Sequence, residues 1–136
     1  MRRSDTPVVR VVATPADMNI NNGAFGGWVL SLMDQAGAVT GVTICAGPVA
    51  TIAVSDVSFE KRIELGDVVS IYADDIQFGK TSVTVSLRVA AENPTNGDTR
   101  RAAIGTFVVV AVDANGAPRN IDARHALSRD ARPREQ

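Results

Sequence analysis

The sequence predicts an α+β domain in which one long apolar helix is wrapped by a curved, five-stranded antiparallel sheet. Three observations carry that expectation. Residues 23–45 (GAFGGWVLSLMDQAGAVTGVTIC) are the one stretch long enough for a substantial helix, and they lack a polar face. The remaining chain is a series of alternating β-branched runs separated by turn residues. Aromatics make up only 4% against 45% apolar residues, so the core must be built from Val, Ile, Ala and Leu, as suits a sheet packed on a helix.

Each element has its own local reason. Residues 7–14 (PVVRVVAT) are short and β-branched and read as a strand. Residues 15–22 (PADMNINN) are dense in Pro, Asp and Asn and read as a loop whose Asn21 or Asn22 caps the helix that follows. Gly26, Gly27, Gly37 and Gly41 oppose that helix by roughly 1 kcal/mol each. Its length and unbroken apolarity outweigh them, and a helix apolar all round must be buried. After Gly47-Pro48, residues 49–59 (VATIAVSDVSF) and 67–78 (DVVSIYADDIQF) form two strands. Gly79-Lys80 turns the chain into residues 81–91 (TSVTVSLRVAA). The hairpin loop NPTNGD at 93–98 leads to a last long strand over 100–112 (RRAAIGTFVVVAV). Hairpin connections make the sheet antiparallel. Residues 1–120 form the single domain, and 121–136 a basic tail, flexible or contacting ligand.

Composition excludes several classes of function. A chain of 136 residues fits one domain with a core that needs no metal or disulfide staple. Net charge is −1, so no basic field attracts nucleic acid. The apolar run at 7–12 is broken by Arg10 and is too short for a signal core or a membrane span. Cys45 is the only cysteine, which points to a reducing cytoplasm, and it reads as a buried small apolar residue. His125 is the only histidine and lies beyond the last strand, which argues against a Ser-His-Asp triad. No cluster of His, Cys and carboxylate reads as a metal site, and no glycine-rich nucleotide loop is present. Asp74-Asp75 reads as a solvated strand face. Arg119, Arg124, Arg129, Arg132 and Arg134 crowd the C-terminal end, as a solvated tail or as an anion-binding arm.

Asp34 is the anomaly of the helix. A carboxylate among apolar residues is costly unless paired or used. It reads as a general base or nucleophile in a partly dry cleft, or as a structural carboxylate bonded to its neighbours. Gly26-Gly27 at the helix start is the second feature. Unpaired N–H groups there attract negative charge, glycine admits a ligand to the backbone, and an oxyanion would be stabilised. Seven residues separate Gly27 from Asp34, or roughly 10 Å of helix. One reacting carbonyl cannot touch both on a single straight helix. If both act, Asp34 of one subunit meets Gly27 of another, across two antiparallel helices and a twofold axis.

Residues 14–37 (TPADMNINNGAFGGWVLSLMDQAG) resemble the signature of YciA-like acyl-CoA thioesterases of the hot-dog fold superfamily. The likeness continues through Val57-Ser58-Phe59, Gly66-Asp67-Val68-Val69, Gly79-Lys80-Thr81-Ser82 and Val110-Ala111-Val112-Asp113, and spans roughly residues 8–120. The resemblance implies a hot-dog fold and hydrolysis of acyl-CoA to free acid and coenzyme A. It implies that Asp34 activates water or attacks the thioester carbonyl, and that the Gly27 amide binds its oxygen. The family often carries Asp or Asn where this chain has Gly23, a departure in which the neighbouring Asn22 takes the polar contact or the contact is absent. Gly26 accompanies Gly27, and Thr51, Ile52 and Ala53 are expected to line the pantetheine arm beside Phe59. Lys61, Gly79, Lys80, Ser82 and Arg119 are the candidate phosphate contacts. No cofactor or metal is expected, coenzyme A being part of the substrate. The implied assembly is a homo-oligomer, at least a dimer and by resemblance a trimer of dimers. The single histidine disfavours the dehydratases and hydratases of this fold. The rival readings are a non-catalytic acyl-CoA or fatty-acyl binding protein and a purely structural oligomer domain.

Overall fold

The computed structural model describes residues 5–135. Strand β1 (Val9–Val12) leads through a 3₁₀ turn (Pro15–Asp17) to helix α1 (Gly26–Cys45). Four strands follow: β2 (Val49–Phe59), β3 (Val68–Phe78), β4 (Ser82–Glu92) and β5 (Thr99–Ala111). They pair antiparallel in the order β1-β3-β4-β5-β2. Register shifts between Thr51/Ala53 and Ser55/Ser58 in β2, and between Ala73/Asp75 in β3, bend the sheet around the helix.

The core lies between α1 and the concave face of the sheet. Val29, Leu32, Met33, Ala36 and Ile44 of α1 meet Val83, Val85, Leu87, Phe107 and Val109. The glycines that oppose the helix by propensity make this packing possible. A Cβ on Gly41 would lie 2.5 Å from Val109 Cγ2, and one on Gly37 would lie 3.3 Å from Phe107 Cβ. Close approach offsets the propensity cost.

Several expectations are corrected. The helix is not buried all round. Gly27, Ser31, Asp34, Gln35, Val39 and Val42 follow helical spacing along one exposed face. By length and hydropathy α1 is apolar enough to cross a membrane, but half of it is buried against this sheet. Neither Asn21 nor Asn22 caps it. The helix begins at Gly26 with Phe25 at the N-cap, and Asn22 sits in the preceding turn with φ of 64°. Asn22 N–H donates to Asn19 C=O at 3.1 Å, so the asparagines close a tight turn instead.

The basic tail is also structured. Helix α2 (Ala123–Ser128) is capped by Asp122, and the two-residue strand β6 (Arg132–Pro133) pairs parallel with β3, a sixth strand beyond the five expected. Ala126 and Ala131 are buried, which anchors the segment. Asp74 and Asp75 are not a solvated pair. Asp74 bonds Arg88 at 2.8 Å, and that guanidinium lies 4.1 Å from the centre of the Tyr72 ring. Asp75 holds Arg132 of β6 at 3.0 Å.

The hydrogen bond from Arg132 holds the Asp75 carboxyl below its usual value, against the opposing effect of partial burial. A carboxyl depressed in the folded chain stabilises above its unfolded value near about pH 3.9. The contribution is lost as pH falls through the lower folded value. Arg132 is half exposed, so solvent screens the clamp and keeps its contribution small. Protection of the α2 amides, taken relative to intrinsic exchange at each pH, should therefore fall on acidification below about pH 4 in the wild type. In Asp75→Asn that protection should already be reduced at neutral pH and show no further loss over this range. A wild-type tail insensitive to acid would remove the clamp.

Candidate active site

Asp34 and Thr51 come together where the exposed face of α1 meets β2. Thr51 Oγ1 donates to Asp34 Oδ1 at 2.6 Å. Val49 packs at Gly41 of α1, and Thr51, two residues further along β2, is turned to the same helix-facing side by strand alternation. Thr51, expected among the residues lining the pantetheine arm, holds the Asp34 carboxylate through its hydroxyl. Thr51→Val removes that bond while keeping the side-chain shape. A loss of roughly tenfold in kcat with little change in KM is expected, as for one hydrogen bond to a charged group. Equal kcat in the variant would show that the carboxylate needs no such guide.

Gly27 lies on the same exposed face two helical turns away, and outside the adjoining helix backbone no described residue lies within 4 Å of where its Cβ would be. As the second residue of α1, its N–H has no intrahelical acceptor, and none is found among the described residues. A cleft of about 330 Å³ opens beside this helix start. Gly26, Val29, Phe59, Lys61 and Ala103 line it. The Phe59 ring packs on Gly26, whose Cβ would lie 3.4 Å from Cζ. So the structure gathers Gly26, Phe59 and Lys61 in one cleft, next to Gly27.

The other expected residues lie elsewhere. Asn22 is exposed in its turn and does not line the cleft. Ile52 and Ala53 stand exposed on β2. Gly79, Lys80, Ser82 and Arg119 gather at the opposite end of the domain, near the C-terminus of α1. Lys80 C=O accepts from Ile121 N–H at 2.8 Å, and Gly79 N–H donates to Ser82 C=O at 2.8 Å. A helix of this length holds the two groups roughly 30 Å apart within one protomer. Arg119 is already committed: it donates to Cys45 C=O and Val112 C=O, both at 3.0 Å. It thus caps α1, and its candidacy as a phosphate contact is weakened.

Cys45 is a buried free thiol. Burial pushes its pKa up and Arg119 partly opposes this, so it is a poor nucleophile. Among the described residues no group of His, Cys, Asp and Glu is arranged to hold a metal ion. Sequence reasoning missed Arg62, which also lines the cleft. Its adjacency to Lys61 was the only signal available.

The surface that carries Asp34 is unfinished in a single chain. Strand β2 pairs with β5 on one edge only among the described residues, and it is exposed over nearly its whole length. Ile52 is 60% and Val54 48% exposed there, alongside Val39 of α1 at 53%. A long apolar open edge of this kind invites pairing with another chain.

Residues 21–97 match the profile of the thioesterase superfamily. The acyl-CoA thioester hydrolase YciA of Escherichia coli (strain K12) is 40% identical over 116 residues, covering 82% of this chain and 87% of that protein. The crystal structure of the hexameric thioesterase y2039 from Yersinia pestis is similar at a TM-score of 0.82 and 39% identity, covering 87% of this chain and 96% of that one. A hexameric broad-specificity acyl-coenzyme A thioesterase is similar at a TM-score of 0.85 and 32% identity, covering 92% of this chain and 96% of that one.

Proposed function

The chain belongs to the thioesterase superfamily and is an acyl-CoA thioester hydrolase, and from that premise we propose that Asp34 of one protomer and the Gly27 N–H of its partner form each site. The observation that carries this is the placement of both groups on one open face of α1, two turns apart.

Two such faces laid antiparallel about a twofold axis set Asp34 opposite Gly27 twice, once per site. The same operation pairs the open β2 edges and covers Ile52, Val54 and Val39. It also dries the carboxylate, which a single chain leaves exposed. Partner residue 45 lies eleven residues beyond partner Asp34, so that helix end overhangs Gly27 by roughly 16 Å. The partner's Gly79–Ser82 turn is thereby carried past the helix start, into reach of the nucleotide end of coenzyme A. Hexameric neighbours support a trimer of such dimers.

In the reaction the thioester carbonyl oxygen points at Gly27 N–H. Asp34 takes a proton from water as it attacks the carbonyl carbon, or attacks directly and leaves an acyl anhydride for water to open. Either way negative charge develops on an oxygen held by the amide. Collapse breaks the C–S bond, and the coenzyme A thiolate leaves and is protonated. Water is the second substrate, and the residues need no cofactor. We infer a soluble enzyme of the reducing cytoplasm, consistent with a buried, unpaired Cys45.

A thiol-release assay over acyl-CoA thioesters of graded chain length tests the reading. Catalytic release of free coenzyme A is expected. Saturable binding without release would instead identify an acyl-CoA binding protein.

A further inference from the structure

The site leaves one feature of the cleft unexplained. Gly23 is buried directly under the side chain of Arg62. A Cβ at Gly23 would lie 3.0 Å from Arg62 Cγ, 3.3 Å from Cδ and 3.5 Å from Nε. Gly23 therefore acts as the seat for the Arg62 stem, and any larger residue would displace it.

The backbone around that seat is held from both sides. Gly23 bridges to Glu64, and Ala24 N–H donates to Ile63 C=O at 2.9 Å. Arg62 C=O accepts two bonds from the Arg100 guanidinium, at 3.2 and 2.8 Å. Its own guanidinium has no acceptor among the described residues, although it lines the cleft beside Lys61. Lys61 is equally unpaired among them. The one carboxylate in the cleft lining, Glu60, is taken by Arg101 through two hydrogen bonds. The cleft thus presents two uncompensated positive charges above an apolar floor that includes Val29 and Ala103.

An unpaired guanidinium whose stem rests on Gly23, beside a hydrophobic cleft, fits an amphipathic anion. We propose that Arg62, seated on Gly23, binds an anionic group of the substrate together with Lys61. The phosphates of the coenzyme A moiety carry that chemistry in every acyl-CoA. A terminal carboxylate on the acyl chain would carry it in a dicarboxylic substrate. The inference rests on the acyl-CoA reading above and adds to it a specificity residue on the same protomer as Gly27.

The test uses the full-length oligomer and three substrates: a neutral acyl-CoA, the same acyl group on N-acetylcysteamine, and an ω-carboxyacyl-CoA. Arg62→Met should raise KM about tenfold for every substrate that carries the bound anion and leave kcat within about twofold. If phosphate is the anion, KM for the N-acetylcysteamine thioester is unchanged. If the acyl carboxylate is the anion, only the ω-carboxy substrate loses affinity. Arg62→Lys should recover part of the loss. Gly23→Asp places a carboxylate against Nε and should raise KM as Arg62→Met does. It should add nothing in the Arg62→Met background, since both act on one interaction. Unchanged KM for all three substrates in Arg62→Met, or additive effects of the two substitutions, would overturn the proposal. Absence of any thiol release by the wild type would instead be a failure of the acyl-CoA reading itself.

Discussion

Asp34→Asn should lose about 10²–10⁴-fold in thioester turnover while keeping its fold and assembly. Asparagine retains an oxygen in the position that accepts from Thr51 Oγ1, so the local geometry survives. What disappears is the capacity to take a proton or to attack. Asparagine is also nearly isosteric and uncharged, so it fits the same place at the dimer interface without burying a charge. Thermal unfolding and native mass should therefore match the wild type. The decisive measurement is kcat from thiol release at saturating acyl-CoA. A variant with wild-type kcat would remove Asp34 from the chemistry and leave it as a polar partner for Thr51.

Two inactive variants, co-expressed, should regain about a quarter of wild-type activity if each site is shared between protomers. One parent is Asp34→Asn. The other is Gly27→Pro, which deletes the amide donor in the first helical turn, where proline is tolerated. A Cβ at Gly27 would meet no other described residue within 4 Å outside the adjoining helix backbone, so the substitution does not collide with the sheet. Each parent alone has no complete site. In a mixed dimer one site combines both lesions, and the other combines an intact Asp34 with an intact Gly27 amide. Random assembly makes half of the dimers mixed, which yields the quarter. If carboxylate and amide of one site came from the same chain, mixing would restore nothing. The result separates a shared site from a private one without any need to resolve the interface.

Local signals and long-range ones were not equally legible. Strands β1 to β5 were readable to within about two residues, because alternation and turn chemistry are local properties of the chain. The start of α1 was misplaced. Asn21 and Asn22 have the chemistry of caps, but the same chemistry closes turns, and here the turn prevailed. The tail was misread for a different reason. Its arginines look solvated in sequence, and nothing local announces that Asp75, far away along the chain, will hold Arg132. Arg119 likewise has the composition of an anion contact, yet the Cys45 carbonyl at the end of α1 and the Val112 carbonyl just after β5 take its donors.

The sequence by itself determined the class of fold, the long glycine-rich helix, the pair Gly27 and Asp34, and the distance that keeps them apart on one helix. Those are consequences of residue type and helical rise. Only the tertiary structure decided that one face of the helix stays open, that Thr51 guides Asp34, and that Gly23 makes room for Arg62. These depend on which strands the sheet brings beside the helix, and a hydroxyl or a missing side chain acts through space on partners that chain order does not name.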